Sequence, residues 1–327
     1  MKYPILPALL FFSLAAFSQD CSKALLRKKP GVWKAGLQGS IHNVSAPELA
    51  REKTVLSVVH KMIQANYSPT GCQVLYSTVF GKYPLPGQTY IADPYYFAMY
   101  FLRYLCDENS ADKSKSYVDI STPTTVNIAA NAIYSLNALY AANIPSDDFR
   151  GYLKLEKWPQ KKDGAWFMGE VVEGDRGLPS EIKEYKWLIT YNDTLPFVYL
   201  SRKEYLLIQK KRMEQTIKDE GASAFYNQFL KNINDQLNKS EAELSKPAVC
   251  PWNDEERFTG FVAEGTAGSF IAVKPNLNYY HKKLPGSSPQ FFTVVYKISA
   301  GDPVFEENMT NIKKAVDFTI LKNMLGK

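Results

Sequence analysis

The residues best suited to hold a ligand cluster in one stretch near the C-terminus. The chain has three histidines, and one of them lies in the segment Asn-Leu-Asn-Tyr-Tyr-His-Lys-Lys at 276–283. This segment concentrates amides, phenols, an imidazole and ammonium groups. Such groups can bind an anionic or sugar-like ligand. The candidate ligand-binding residues are Asn276, Asn278, Tyr279, Tyr280, His281 and Lys282. The same stretch also fits a structural loop, in which the asparagines form turns and the tyrosine rings pack inward.

Motifs for the common catalytic classes are missing from the sequence. It contains no Gly-x-Ser-x-Gly motif, no phosphate-binding loop and no dinucleotide fingerprint. No spacing of cysteine and histidine suits zinc. We therefore predict no catalytic residue, no cofactor and no metal site. A hydrolase with a carboxylate pair stays open, because acidic groups cluster at Glu170, Glu173 and Asp175 and again at 254–256.

The charge pattern argues against a nucleic-acid partner. The formal net charge is +6, but acidic residues are interleaved with the basic pairs along almost the whole chain. A nucleic-acid-binding protein would concentrate its basic residues on one element.

The aromatic residues suggest another binding surface, since Trp158, Trp166 and Trp187 fall within 152–191. They could form a platform that stacks on sugar rings, although packing in a core is the commoner role of such rings.

The first 18 residues have the pattern of a signal peptide. Lys2 precedes an apolar run from Ile5 to Phe17 that ends in small residues. This run is shorter than the ~20 residues that a membrane-spanning helix needs, and no later run is longer. We expect an exported protein, periplasmic or secreted, without a transmembrane segment. Lipidation of Cys21 is the alternative, but the charged Asp20 precedes it where a small neutral residue is expected.

The cysteine count points to disulfides. Four cysteines in an oxidising compartment predict two bonds with three possible pairings. The cysteines are Cys21, Cys72, Cys106 and Cys250.

Two helix starts carry the same local signal. Ser45 with Glu48, and Ser201 with Glu204, have the spacing of a capping box. The first predicts a helix as far as residue 65. The second begins a long helical segment near 201–245, which Gly221 bends or splits into a helical hairpin.

The remaining pattern indicates an α+β fold, with antiparallel sheet elements packed against several helices. Strands are predicted over 71–90, 95–105 (with a helix as the alternative), 117–121 and 291–298, and helices over 131–142 and 306–325. A meander is predicted from 152–158, 165–172 and 184–191, with Asp163-Gly164 as its first turn. The expected organisation is a signal peptide at 1–18, an α+β region at 19–200, and a segment at 201–327 packed on the same core.

Several stretches resemble a known group of proteins. They are Phe17-Ser18-Gln19, the aromatic-rich strands, Ser201-Arg202-Lys203-Glu204-Tyr205-Leu206, and 275–280 through Leu284-Pro285. These stretches are similar in sequence to those of exported, uncharacterised proteins of Bacteroidetes-type bacteria. The resemblance implies no activity, ligand or site residue. It does imply that Asp193-Thr194-Leu195 is similar to the O-glycosylation triplet of such organisms, with Thr194 as the acceptor.

Together these features favour a non-catalytic, exported binding or accessory protein of the cell envelope, whose partner is a glycan or a protein. The first alternative is a hydrolase that uses a carboxylate pair on an envelope or glycan substrate. The second is a structural envelope protein, in which the long segment at 201–245 would offer its surface to a partner helix.

Overall fold

The computed structural model describes residues 20–36, 39, 41–81, 91–132, 152–174, 181–252 and 258–327. Several predicted features lie wholly or mainly outside these residues, namely the signal peptide, the helix over 131–142, Asp175 and the acidic residues at 254–256. Within the described residues, mixed sheets packed with helices confirm the predicted α+β class.

Ten of the described strands form one sheet. In spatial order its main path is β1 (Val32–Ala35), β3 (Cys72–Gly81), β4 (Tyr95–Cys106), β6 (Thr125–Ala130), β14 (Phe292–Ser299), β10 (Ile182–Ile189), β9 (Ala165–Glu173) and β8 (Gln160–Lys162), with β2 (Ile41–His42) on β3 and β5 (Ser116–Val118) on β4. Only β1 and β2 run parallel to their neighbour, whereas the other described pairs in this sheet are antiparallel. Strand β14 lies between β6 and β10, so the sheet joins segments far apart in the chain.

The centre of this sheet is buried on both faces. Tyr95, Phe97 and Met99 of β4 are inaccessible to solvent, and so is the intervening Ala98. All six residues of β6 are buried as well. A strand covered on both faces must be apolar on both, which explains why 95–105 is a strand and not a helix.

A second, four-stranded sheet is built around β13 (Ser269–Pro275). Its other members are β7 (Leu153–Leu155), β11 (Phe197–Tyr199) and β12 (Val249–Pro251), each antiparallel to β13. The predicted strand over 152–158 is therefore short and pairs with β13, not with 165–172. The hairpin partner of β9 is β8, and β10 follows on the other side of β9. The turn residues of the hairpin are as predicted, since Asp163 and Gly164 have φ values of 50° and 77°.

The helices are α1 (Lys23–Lys28), α2 (Ala46–Asn66), α3 (Arg202–Glu220), α4 (Ala224–Leu237), α5 (Glu241–Leu244), α6 (Pro303–Ala315) and α7 (Phe318–Asn323). Ser201 and Glu204 form a complete capping box at the start of α3. At the start of α2, Ser45 bonds to the side chain of Glu48 and caps no backbone N–H. Gly221 has a φ of 90° and ends α3. The long helical segment is thus split into a hairpin, as its sequence allowed.

Helices α2, α6 and α7 pack on the main sheet around Val59, Ile63, Phe97 and Val294, which are fully buried. The final helix predicted over 306–325 is two helices, because Val316 is extended and Asp317 begins a new capped turn. Two further apolar clusters hold the second sheet and the α3–α4 hairpin.

The structure forms one of the two predicted disulfides, between Cys21 and Cys106. The second is wrong, because Cys72 and Cys250 are buried thiols in two different apolar clusters. Each is enclosed by the side chains of its own cluster, so the two sulfurs do not meet. Burial raises the pKa of the Cys72 thiol to about 12, which keeps it in the unreactive protonated form.

His60 of α2 lies among aromatic rings and should make stability depend on pH. Its ring centroid is 4.2 Å from that of Tyr76 and 5.3 Å from that of Phe97. Burial lowers the pKa of His60 from 6.5, so the unfolded chain binds this proton more readily than the folded chain. The stabilisation is complete above pH 6.5 and is lost as the pH falls through the folded-state pKa.

We therefore expect the wild type to lose more unfolding free energy than His60→Phe when the pH is lowered from about 7.5 to about 5. Urea unfolding of both proteins at each pH measures this difference, and His42 and His281 are common to both. An equal loss in the two proteins would show that His60 does not cause the pH dependence.

Candidate functional site

An open cleft of about 640 Å³ lies beside β9, between that strand and the segment that precedes β8. Its lining combines acidic, basic and aromatic side chains. The lining residues are Glu156, Lys157, Trp158, Gln160, Phe167, Met168, Gly169, Glu170, Val172, Glu181 and Lys183.

A β-bulge in β9 shapes one wall of the cleft. Lys186 of β10 is opposite Gly169, whereas Trp187 is opposite Phe167, so that Met168 is the extra residue. Gly169 has a φ of 127°, which glycine adopts without strain. Bulges bend a strand and re-aim its side chains. Since β8 pairs only with residues 165–167, the residues from Met168 onward border the cleft.

Trp158 is held in a fixed orientation in this lining. Its ring stacks on that of Tyr199, with the centroids 3.9 Å apart and an angle of 10° between the planes. The edge of Phe197 supports it at 5.7 Å. Trp158 is half-buried, so the second sheet orients this ring without enclosing it.

Two of the charged groups in the cleft pair with each other. Glu181 is only 5% exposed, and its Oε1 lies 2.9 Å from Nζ of Lys183. This contact raises the pKa of the Lys183 ammonium, so the lysine stays protonated at neutral pH. Glu156 and Lys157 also line the cleft and are exposed.

Glu170 lies beside polar groups of the neighbouring strand β10, which in turn contact α6. It lies opposite Tyr185 in the register of β9 and β10. Burial and the nearby carboxylate raise the pKa of Tyr185. The Nζ of Lys313 from α6 sits 3.9 Å from the centre of the Tyr185 ring, and burial lowers the pKa of this lysine. Glu170 therefore borders a cluster of polar groups that connects the cleft to α6.

The cleft can donate and accept hydrogen bonds on several sides of one ligand. Carboxylates accept hydrogen bonds, ammonium groups donate them, and an aromatic ring offers a flat apolar face. This combination suits a neutral, hydroxyl-rich molecule with one apolar face. Its volume is within the range of about 300–1,000 Å³ that is usual for ligand sites.

The predicted ligand loop lies elsewhere, and its tyrosines are buried. Tyr279 donates from its hydroxyl to the carbonyl oxygen of Gln290 at 2.5 Å and accepts from the backbone N–H of Tyr191 at 3.2 Å. Tyr280 is buried, and no described group forms a hydrogen bond with its hydroxyl. Gln290 also bonds through its side chain to the backbone of His281. The loop is therefore clamped onto the core at several points.

The other members of the predicted set differ in exposure. Asn276 uses its side chain internally, donating to the carbonyl oxygen of Leu195 at 3.1 Å and accepting from the N–H of Asn278. Asn278, His281 and Lys282 are exposed. Ligand binding by this loop stays a prediction, and these three side chains are the ones available for it.

Thr194, the predicted O-glycosylation acceptor, is exposed. It follows a short 3₁₀ turn at Tyr191–Asp193, in which Asn192 and Asp193 have positive φ. Asp193 forms ion pairs with Lys161 and Lys322. A sugar on Thr194 would meet no buried surface, and its presence stays a prediction.

The sequence indicates parts of the cleft without bringing them together. Trp158 belongs to the predicted aromatic platform and Glu170 to an acidic cluster. Glu156, Glu181 and Lys183 belong to no motif, so no sequence signal points to them. Only the pairing of β9 with β8 and β10 brings these side chains to one place.

Other site classes receive no support within the described ranges. None of the helices there is long and apolar enough to cross a membrane. No group of three or more His, Cys, Asp or Glu side chains among those residues is placed to hold a metal ion. No protein-family model, curated protein or solved structure matches this chain.

Proposed function

We propose that this chain is an exported, non-catalytic binding protein of the cell envelope and that its cleft beside β9 binds a glycan. The observation that carries the proposal is the lining of the cleft. It places the fixed ring of Trp158 in the same cleft as three carboxylates and two ammonium groups.

A sugar matches this lining in chemical terms. Its hydroxyls donate to carboxylates such as Glu170 and accept from ammonium groups such as Lys157. The C–H face of a pyranose is apolar and packs against an indole ring. A strongly charged ligand would meet groups of the wrong sign on one wall or another. The mixed charge of the cleft therefore favours a neutral oligosaccharide over a nucleotide or a polyamine.

Export is supported by the covalent structure. Disulfides persist in oxidising compartments and are rare in the cytosol, and Cys21–Cys106 is such a bond. The apolar stretch that precedes Cys21 has the pattern of a signal peptide.

Replacing Trp158 with alanine should weaken glycan binding by about tenfold or more, because the stacking surface is lost. Neutral oligosaccharide fragments of bacterial envelope polymers, titrated into the purified protein and followed by calorimetry, measure this change. Trp252→Ala is the matched control, since Trp252 is an exposed tryptophan away from the cleft. Equal affinities of the two variants, or no saturable binding by the wild type, would count against the proposal.

The hydrolase is the second candidate, and the carboxylates Glu156, Glu170 and Glu181 in one cleft favour it. Glycoside hydrolysis uses two carboxyl groups on either side of the scissile bond. Incubation of the same oligosaccharides with wild type and Glu170→Gln separates the two candidates. Release of new reducing ends by the wild type alone indicates hydrolysis. Binding without release, weakened gradually by Glu170→Gln, indicates a binding protein.

A further inference from the structure

A second cavity, independent of the glycan cleft, lies on the other side of the main sheet's centre. It is a groove of about 580 Å³ between α1, the end of β4 and the start of α6. Most of its walls are apolar, unlike those of the glycan cleft. The apolar lining residues are Ala24, Leu26, Tyr104, Leu105, Pro123, Ala300, Pro303, Val304 and Phe305.

The polar part of the groove is centred on Arg103. Its Nη1 lies 2.7 Å from a carboxylate oxygen of Asp302, and its Nε lies 3.3 Å from one of Asp119. These two contacts fix the guanidinium plane, while Nη2 forms no hydrogen bond with any described residue. Each of the two carboxylates lies on a different edge of the guanidinium, so the nitrogen left for a single hydrogen bond to a ligand oxygen is Nη2.

The carboxylate of Asp302, which also lines the groove, already has hydrogen-bond partners within the protein. Asp302 accepts from the backbone N–H groups of Val304 and Phe305 at the start of α6, in addition to its contact with Arg103. Lys23 on α1 also lines the groove, is exposed, and forms no ion pair within the described part of the chain. Arg103 is paired with two carboxylates, and Arg27, which also lines the groove, is paired with Glu307. The positive charge that the groove can still offer a ligand is therefore that of Lys23.

The wall formed by α1 is preformed. A helix of six residues is unstable on its own, so its position depends on tertiary contacts. The Cys21–Cys106 disulfide ties its start to the end of β4, Ser22 caps it, and Leu26 is buried beneath it. A preformed, mostly apolar groove with a few convergent polar groups is the usual form of a small-molecule site.

We propose that this groove binds a medium-chain carboxylate. The alkyl chain lies along the apolar walls near Leu26 and Phe305, and the carboxylate contacts Nη2 of Arg103 and the ammonium group of Lys23. The site is separate from the glycan cleft, so either proposal can hold without the other.

Calorimetric titration with sodium decanoate, kept below its micelle-forming concentration, tests this assignment. We expect saturable binding at one site per chain. Ala24→Trp, which places an indole in the groove, should weaken binding by about tenfold or more. Leu25→Trp is the matched control, because Leu25 is an exposed neighbour on α1 outside the lining, and it should bind as the wild type does.

Decyltrimethylammonium tests the charge of the head group with the same chain length. Its failure to bind, together with binding of decanoate, supports the contact with Arg103 and Lys23. Equal binding of the two amphiphiles overturns the proposal, and so does equal binding by the two tryptophan variants or an absence of saturable decanoate binding. Native folding of each variant is checked by far-ultraviolet circular dichroism and by urea unfolding.

Discussion

Replacing Cys21 and Cys106 together with serine will lower the free energy of unfolding by about 4 kcal/mol. The bond joins residues 85 positions apart, so it restricts a large loop of the unfolded chain. Loop-closure entropy grows with the length of the closed loop, and a bond of this span is near the upper end of the usual range. The variant is measured against wild type by urea unfolding, followed by circular dichroism and tryptophan fluorescence.

Each single serine variant breaks the same bond and should therefore be destabilised about as much as the double variant. The wild type under reducing conditions is a further check, because its side chains are unchanged. A double variant within about 1 kcal/mol of wild type would contradict the entropic argument. If breaking the bond only loosened the packing of α1, the free energy of unfolding would change little, and the structural effect would be confined to the N-terminal residues around this helix.

Asn131→Ala will destabilise the protein by about 4 kcal/mol, because one side chain holds three backbone groups. Its Nδ2 donates to the carbonyl oxygens of Asp93 and Ser288, at 3.0 and 3.1 Å, and its Oδ1 accepts from the N–H of Gln290 at 2.7 Å. These contacts clamp the 276–290 loop to the end of β6. Asn131 itself is fully buried, so water cannot replace the lost bonds without entering the core.

The loss of stability in Asn131→Ala has two contributions, the lost hydrogen bonds and the backbone strain of alanine at a positive φ, and Asn131→Gly separates them. Asn131 has a φ of 58°, which glycine adopts without strain and alanine does not. The glycine variant should be destabilised strongly but by about 1 kcal/mol less than the alanine variant. Asn278→Ala, an exposed asparagine in the same loop, should change stability by less than about 0.5 kcal/mol. Slow amide exchange at Gln290 in Asn131→Ala would show that the clamp does not act as described.

The local signals in the sequence predicted elements well wherever neighbouring residues decide the conformation. Ser201 and Glu204 begin α3 through contacts within one turn, and Gly221 ends it because glycine adopts a positive φ. Asp163-Gly164 makes the hairpin turn for the same reason. In each case the interacting groups are close in the chain, so composition and spacing are sufficient.

Pairing between distant segments was not predictable in this way. The sequence pattern of 152–158 fits a strand, but it does not say whether the partner is 165–172 or β13. Four cysteines allow three pairings, and only the fold shows that Cys72 and Cys250 lie in separate apolar clusters. The long-range contacts that decide these cases are set by the packing of whole sheets.

The sequence by itself determined the α+β class and the main helix starts, because these depend on local propensity and hydrophobic period. Only the tertiary structure decided where ligands could bind. Trp158, Glu170 and Glu181 come together because β9 pairs with β10 and the second sheet supports the indole ring. Arg103 and Lys23 border one groove because a disulfide holds α1 across the end of β4. Sites of this kind depend on contacts between segments far apart in the chain, which spacing along the sequence does not encode.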